Sequence, residues 1–533
     1  STYDREGNLQ TMQAGEGWQA SWVRDNTGLE VQRTFSGGVT VSTECDCFGR
    51  EVRKSVRSGG IERGAYRYEW GIAGRLLSKE NELTGTVMRY DYDRFDFLIR
   101  QETTQGSETD VIYRMPDFVG NLFGTPDRKD RKYGAGGKLL EDPDCFYHYD
   151  DEGNLIFREF KQLQETGVRY DRKRMEKERG IRCLATGTGW LYEWTSNGML
   201  RRVVRPDGRP VEFRYDALGR RTAKQYLSKV TRWVWDGNVP LHEWSYKAIG
   251  LQSDEEENTP PKEPAEDVTT WVFEAGMFVP TAKIQGDKQY SIVSDYLGTP
   301  IQMYDEQGNK TWDCTLDIYG KVTTFTGRGL NTCPFRLQGQ YEDEETGLYY
   351  NRFRYYSSKN GVYISQDPIR LNGRNSIFYS YVKNVNKGVD LFGLMPLCNP
   401  VNQGHHIVPY QAATDLGIQP FNSQVGVPAL YFSDAQFTGI EHSAMHGYNN
   451  IGKNTKPLVK ASQIRSNGMS ADEWLESLEA HYKNPAIQSV RGDLHLINTN
   501  GTKGLLIKAN VTPSEAWDLT KEWANKQKAN RFH

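Results

Sequence analysis

Through residue 334 the chain alternates apolar and polar positions in short runs, each ended by an acidic residue and a glycine. One alternating strand places Phe213 and Tyr215 on one face, and Asp216 and Gly219-Arg220 follow. A period of two is the signature of a half-buried strand, and the glycine supplies the positive φ that a tight hairpin turn needs. Tyr3-Asp4 with Gly7-Asn8-Leu9, Tyr149-Asp150 with Gly153-Asn154-Leu155, Tyr192-Glu193 with Gly198-Met199-Leu200, and Tyr304-Asp305 with Gly308-Asn309 follow the same plan. Adjacent units recur at roughly twenty residues, the period of a repeat architecture. One hairpin is marginal in water, so the units are expected to stack into long sheets. From the residues alone this is a mainly β protein, and an adhesive β-solenoid or propeller remains open.

Two inserts break the pattern. Tyr170–Arg179 (YDRKRMEKER) reads as a solvated turn, and the acidic, proline-rich Ser253–Asp267 as a surface loop too polar to pack. Lys and Arg nearly balance Asp and Glu, so net charge points to neither a nucleic-acid coat nor a membrane-surface protein. The seven cysteines form no CxxC pair, which disfavours thiolate zinc. No apolar run reaches the roughly 20 residues of a membrane helix. The chain opens inside a repeat without a signal sequence, and is expected to be a fragment whose N-terminus lies elsewhere.

The segment Phe335–Leu394 contains GQYEDEETGLYYNRFRYY (Gly339–Tyr356), SQDPIRL (Ser365–Leu371) and DLFGL (Asp390–Leu394), with eighteen residues between DPIRL and DLFGL. It resembles the core-associated region of the Rhs/YD-repeat polymorphic toxins, in which two DPxGL motifs close a shell ahead of a variable toxin. Here Arg370 and Leu391 depart from that motif. The resemblance implies that residues 1–334 are YD repeats forming part of a hollow β-shell, that 335–394 is the boundary module and that 395–533 is the toxin. It also implies self-cleavage between Leu394 and Met395 by Asp367 and Asp390. Two carboxylates held close share a proton, so one can activate water while the other acts as acid. Without the resemblance, both aspartates read as turn formers.

The tail is a small α+β domain by its signals. Ser470–Glu473 and Thr512–Glu515 are capping boxes that open helices, and Asp493–Ile507 reads as a hairpin around Asn500-Gly501. It holds seven of the nine histidines. His442 and His446 fall on one face of an expected helix, a two-point metal clamp that a third imidazole would complete with one position left open. Of the pair His405-His406, the other member faces away, free to act as a base. The set resembles the GHH branch of the HNH (ββα-metal) nucleases. That resemblance makes His405, His442 and His446 the metal ligands and His406 the general base, with Asn422 standing for the family's middle Asn. Zinc suits three imidazoles, with magnesium, manganese, nickel or cobalt as alternatives.

Arg491 and His495 are candidate phosphate contacts, although Arg491 and Asp493 also suit a local ion pair. His481 and His533 read as structural. From Met395 on, twelve Lys and Arg face eleven Asp and Glu, so no basic field covers the tail, and Lys503, Lys508 or the Lys521–Arg531 run must supply any patch. The expected activity is hydrolysis of target-cell DNA, ahead of RNA. The expected partners are an immunity protein and the spike, or spike adaptor, of a type VI secretion apparatus. The expected location is secreted, then the target-cell cytoplasm. The competing readings are another metal-dependent hydrolase, disfavoured as a zincin because no HExxH occurs, and an adhesion or carbohydrate-binding protein with an inert tail.

Overall fold

A computed structural model describes the chain except residues 5–7, 16, 27, 166, 249–262, 275, 370–376, 395–396, 399–404, 407–427, 432–469, 489–490, 498–502 and 530–533. Two compact units emerge, one of Ser1–Thr2, Gln10–Glu44 and Glu51–Cys398, the other of Tyr3–Leu9, Cys45–Arg50 and Asn399–His533.

The protein is mainly β. An eleven-stranded sheet runs from Thr2 to Tyr113 and a sixteen-stranded sheet from Lys132 to Gly327, and in both every strand lies beside its sequence neighbours. The alternation explains this order, because each hairpin presents one apolar face and only the next hairpin can extend it. The aspartate does more than turn the chain. In the Asp150 unit, Gly153 N–H donates to Asp150 O at 3.1 Å and Asp150 N–H to Asn154 O at 3.0 Å. The Asp150 carboxylate accepts from the Asn154 backbone at 2.6 Å and from its side chain at 3.1 Å. Gly153 sits at φ +82°, where a side chain would be strained.

At six places an aromatic residue at or next to a strand's end ties its unit to the one before. Its polar tip donates to the carbonyl two positions after the preceding turn glycine. Trp70 reaches Glu51 O at 2.6 Å, Tyr92 reaches Leu76 O at 2.7 Å and Tyr149 reaches Leu139 O at 3.0 Å. Trp194 likewise reaches Leu155 O at 2.8 Å, Tyr215 reaches Leu200 O at 2.7 Å and Trp235 reaches Arg221 O at 2.7 Å. At Tyr92-Asp93, Tyr149-Asp150 and Tyr215-Asp216 the dipeptide thus does two jobs, the ring spanning to the previous unit and the acid shaping its own turn, whereas after Trp194 the turn is shaped by Thr195.

One reading of the sequence is corrected. Arg172–Arg179 is an α-helix, not a turn. Asp171 caps it by accepting from Arg174 N–H, and Gly180 ends it in the left-handed conformation. Its single apolar residue, Met175, is buried against Phe157, Ile181 and Leu191. Nearby, the fully buried Glu159 accepts from the backbone N–H groups of Leu184, Ala185 and Gly187 at 2.7–2.9 Å and meets His148 Nε2 at 3.1 Å. Burial alone would raise its pKa, but the His148 bond and the three amides outweigh that and bring it down to about 2. Of the acidic insert, 253–262 lies outside the described residues, and Glu263 pairs with Arg232 at 2.8 Å.

After Gly327 the style changes. Tyr341–Asp343, Leu348–Asn351, Arg354–Ser357 and Val362–Tyr363 form a separate four-stranded antiparallel sheet. Every residue of the second, third and fourth of these strands is buried.

Candidate functional site

Asp367 and Asp390 stand 23 positions apart in sequence and meet on one side chain. The Arg354 Nη2 lies 3.4 Å from Asp367 Oδ2 and 3.3 Å from Asp390 Oδ2, and all three residues are at most 3% exposed. A guanidinium therefore links the two carboxylates. Arg354 also donates from Nη1 to Phe378 O at 3.1 Å and from Nε to Gly393 O, while its plane lies 3.7 Å from the Tyr363 ring centre.

Asp390 is held from several sides. Tyr363 O–H donates to its Oδ2 at 2.9 Å, and Asn351 Nδ2 donates to its carbonyl at 2.8 Å and to the Tyr363 hydroxyl at 2.7 Å. Its other oxygen, Oδ1, accepts the backbone N–H of Leu394 at 3.0 Å. The carboxylate thus grips the residue whose carbonyl belongs to the Leu394–Met395 bond; Met395 itself lies outside the described residues. Gly339 explains the fit, since a Cβ there would come within 2.5 Å of Leu391 O.

Asp367 is fixed by its own N–H to Phe378 O and by accepting Ile369 N–H, both at 2.9 Å. Burial raises its pKa. Arg354 and the Ile369 amide pull the other way and the Asp390 charge adds to the rise, so the net shift is upward. An open cavity of about 690 Å³ has Asp367 in its wall. Arg354, Tyr363 and Asn351 were not singled out from the sequence. For Asn351 and Arg354 the signal was the loss of alternation in LYYNRFRYY, where polar residues have no wet face to occupy; Tyr363 lies beyond that run.

In the second unit, His405–His406, Pro428–Tyr431, Gly492–Ile497 and Lys503–Val511 form an antiparallel sheet in that order. The register aligns His405 with Leu430 and Leu494, and His406 with Ala429 and His495. His406 and His495 thus share a register row, two strands apart, and His405 lies in the adjacent row. His495 is buried. His442, His446, Asn422 and His533 lie outside the described residues. His481 is buried beside Tyr482, with ring centres 5.2 Å apart.

Arg491 and Asp493 converge on the backbone of Asn510. Arg491 Nη1 donates to its carbonyl at 3.0 Å, and its N–H donates to Asp493 Oδ1 at 2.9 Å. Both capping boxes form, Ser470 with Glu473 and Thr512 with Glu515. The helices they open, Ala471–Tyr482 and Pro513–Ala529, meet through stacked Tyr482 and Trp517. Lys508 pairs with Glu515 at 3.7 Å and Lys521 with Glu479 at 2.8 Å. No helix among the described residues is long and apolar enough to cross a membrane.

Comparison with known proteins covers both units. The family described as RHS Repeat matches residues 194–230, and the family described as Toxin protein PT1 matches residues 401–528. The chain is 29% identical over 454 residues to "Double-stranded DNA deaminase toxin A" of Burkholderia cenocepacia, covering 80% of this chain and 29% of that protein. It is also 29% identical over 408 residues to "Probable deoxyribonuclease RhsB" of Dickeya dadantii, covering 74% and 25%. The chain spans under a third of the length of these two relatives. Among solved structures, the TcdB2-TccC3-Cdc42 structure aligns at a TM-score of 0.35 and 18% identity, over 74% of this chain and 23% of that one. A stretch of the YD-type hairpins matches the RHS repeat and the tail matches a toxin module, an arrangement consistent with an Rhs polymorphic toxin.

Proposed function

We propose that the chain acts as a secreted antibacterial Rhs effector whose hairpin sheets form part of a shell around a metal-dependent nuclease tail, delivered into the cytoplasm of a target cell. One observation carries the reading: the toxin-family match, 401–528, contains His405, His406, His442 and His446, and a relative matched over most of this chain is named a deoxyribonuclease. His405, His442 and His446 would hold a divalent metal, zinc first. That ion would polarise the scissile phosphate and stabilise the departing oxygen. His406 would take the proton of the attacking water. DNA is the proposed substrate, ahead of RNA. An immunity protein and a type VI spike or its adaptor are the proposed partners.

The second half of the proposal is release of the tail by a cut after Leu394. Asp367, whose proton is held more readily by burial, would serve as the acid, and Asp390 would steer water onto the Leu394 carbonyl. Arg354 would orient both carboxylates, acting as a positioning residue.

Base deamination is the second reading, favoured by the name of one relative. Zinc deaminases take their ligands from His and Cys with a P-C-x-x-C run, whereas this sequence beyond Leu394 has one cysteine, Cys398. That places the nuclease first. The test is incubation of the whole chain with plasmid and RNA, with and without chelator. Plasmid breakage that chelator stops and zinc restores is expected, and His406→Ala should abolish it while leaving bound metal in place. Intact plasmid carrying uracil would favour the deaminase instead. Asp390→Asn should migrate as one band on a denaturing gel; the same two fragments as wild type would refute the cut.

A further inference from the structure

Close to the boundary, the first unit contains a cavity of about 40 Å³. Arg221, Trp233, Gln338, Gln340 and Arg352 contribute to its wall, and each is more than nine-tenths buried. These side chains carry polar atoms without a hydrogen-bond partner: Nε and Nη1 of Arg352, Nε of Arg221, Nε1 of Trp233, both amide atoms of Gln340 and Oε1 of Gln338. Donors among these atoms outnumber acceptors, which water, donor and acceptor alike, does not match.

Arg352 sharpens the imbalance. Its guanidinium donates from Nη2 to Leu218 O at 3.1 Å and lies over the rings of Trp235 and Phe353. Among the described residues no carboxylate forms an ion pair with it. The nearby carboxylates are committed elsewhere, Asp343 to Arg221 and Lys224, Glu342 to Arg336 and Asp216 to Arg220. A buried charge without a counter-charge is costly, and an anion supplied from solution removes that cost.

We infer that this cavity binds one small monovalent anion, of halide or formate size, against Arg352. By this measure a water occupies about 10–15 Å³, so the space admits such an ion with a water beside it and excludes a phosphate ester or a nucleotide. Leu391 and Phe392 line the same cavity, next in sequence to Asp390. The bound ion fixes the segment Leu391–Phe392 that leads to Leu394. Nothing in this inference depends on what the tail cleaves.

Bromide is the probe. Crystals of the whole chain grown in sodium bromide should show an anomalous peak in the cavity at Arg352. In solution, Tm should be higher in bromide than in gluconate at equal ionic strength, since gluconate is too large to enter, and Arg352→Gln should remove the difference. A cavity holding waters with no anomalous peak, or a difference that survives Arg352→Gln, overturns the inference. Should Arg352→Gln fail to fold, the wild-type peak and the loss of the Tm difference in Gln340→Leu decide it.

Discussion

The repeat strands and the boundary strands draw on the same tyrosine-rich alphabet but spend it differently. Trp18–Arg24 alternates buried and open positions, keeping one face against the core. Leu348–Asn351 and Arg354–Ser357 bury every position, polar ones included. A repeat strand such as Trp18–Arg24 leaves Gln19 and Val23 open to solvent, and buried polar residues such as Glu159 are local exceptions with partners of their own. The second, third and fourth boundary strands have no wet side, so their polar groups depend on partners inside the protein. The repeats tolerate local change, whereas the boundary is a network in which one loss strands several groups.

Removing the centre of that network should have the largest effect. Arg354→Met leaves Asp367 and Asp390 buried without their shared cation. Breaking a buried ion pair from one side costs about 3–5 kcal/mol, so tryptophan fluorescence of the chain should be lost at clearly lower denaturant. Adding Asp367→Asn to Arg354→Met should recover part of the loss, because one stranded charge is neutralised. If both variants unfold where the wild type does, the boundary is no more cooperative than a repeat.

Glu159 tests the comparison from the other side, since it is a buried carboxylate within the repeats. Its folded pKa of about 2 lies below the ordinary 4.5, so the unfolded chain binds the extra proton between those values. The contribution is therefore complete above the unfolded pKa and is lost as pH falls towards 2. The shift corresponds to about 3 kcal/mol. Glu159→Gln should lower stability by that order at neutral pH and flatten the fall of the denaturation midpoint between pH 4.5 and pH 2. An unchanged acid limb would show that the amides around Glu159 contribute nothing.

The repeat plan was legible because its physics is local: a period of two gives the strand, and an acid with a following glycine gives the turn. Both capping boxes were legible for the same reason. The helix at Arg172–Arg179 was not, because seven of its eight residues are charged and the one that anchors it, Met175, makes no periodic pattern by itself. At the site, Asp367 and Asp390 were singled out by the resemblance to the paired DPxGL motifs, and without it they read as turn formers. Arg354, Asn351 and Tyr363 escaped, since a polar residue read along a strand looks like a wet face until those strands are seen to have none. His406 and His495 share a row only through the strand Pro428–Tyr431 between them, a pairing that no local pattern encodes.

The finest version of the comparison deletes one hydroxyl from each region. Tyr363→Phe removes a bond to the charged, fully buried Asp390 and the acceptor of Asn351 Nδ2. Hydrogen bonds to charged groups contribute about 1.5–3 kcal/mol, so its cost should lie there. Tyr149→Phe keeps the ring against Tyr379 and removes only the donor to Leu139 O. That neutral tie should cost about 1 kcal/mol. The ratio of the two denaturation shifts is the informative quantity, because both variants lose the same atom. Equal shifts would mean that the unit-to-unit tie is as critical as the boundary network. A larger Tyr149→Phe shift would reverse the ranking of the two regions.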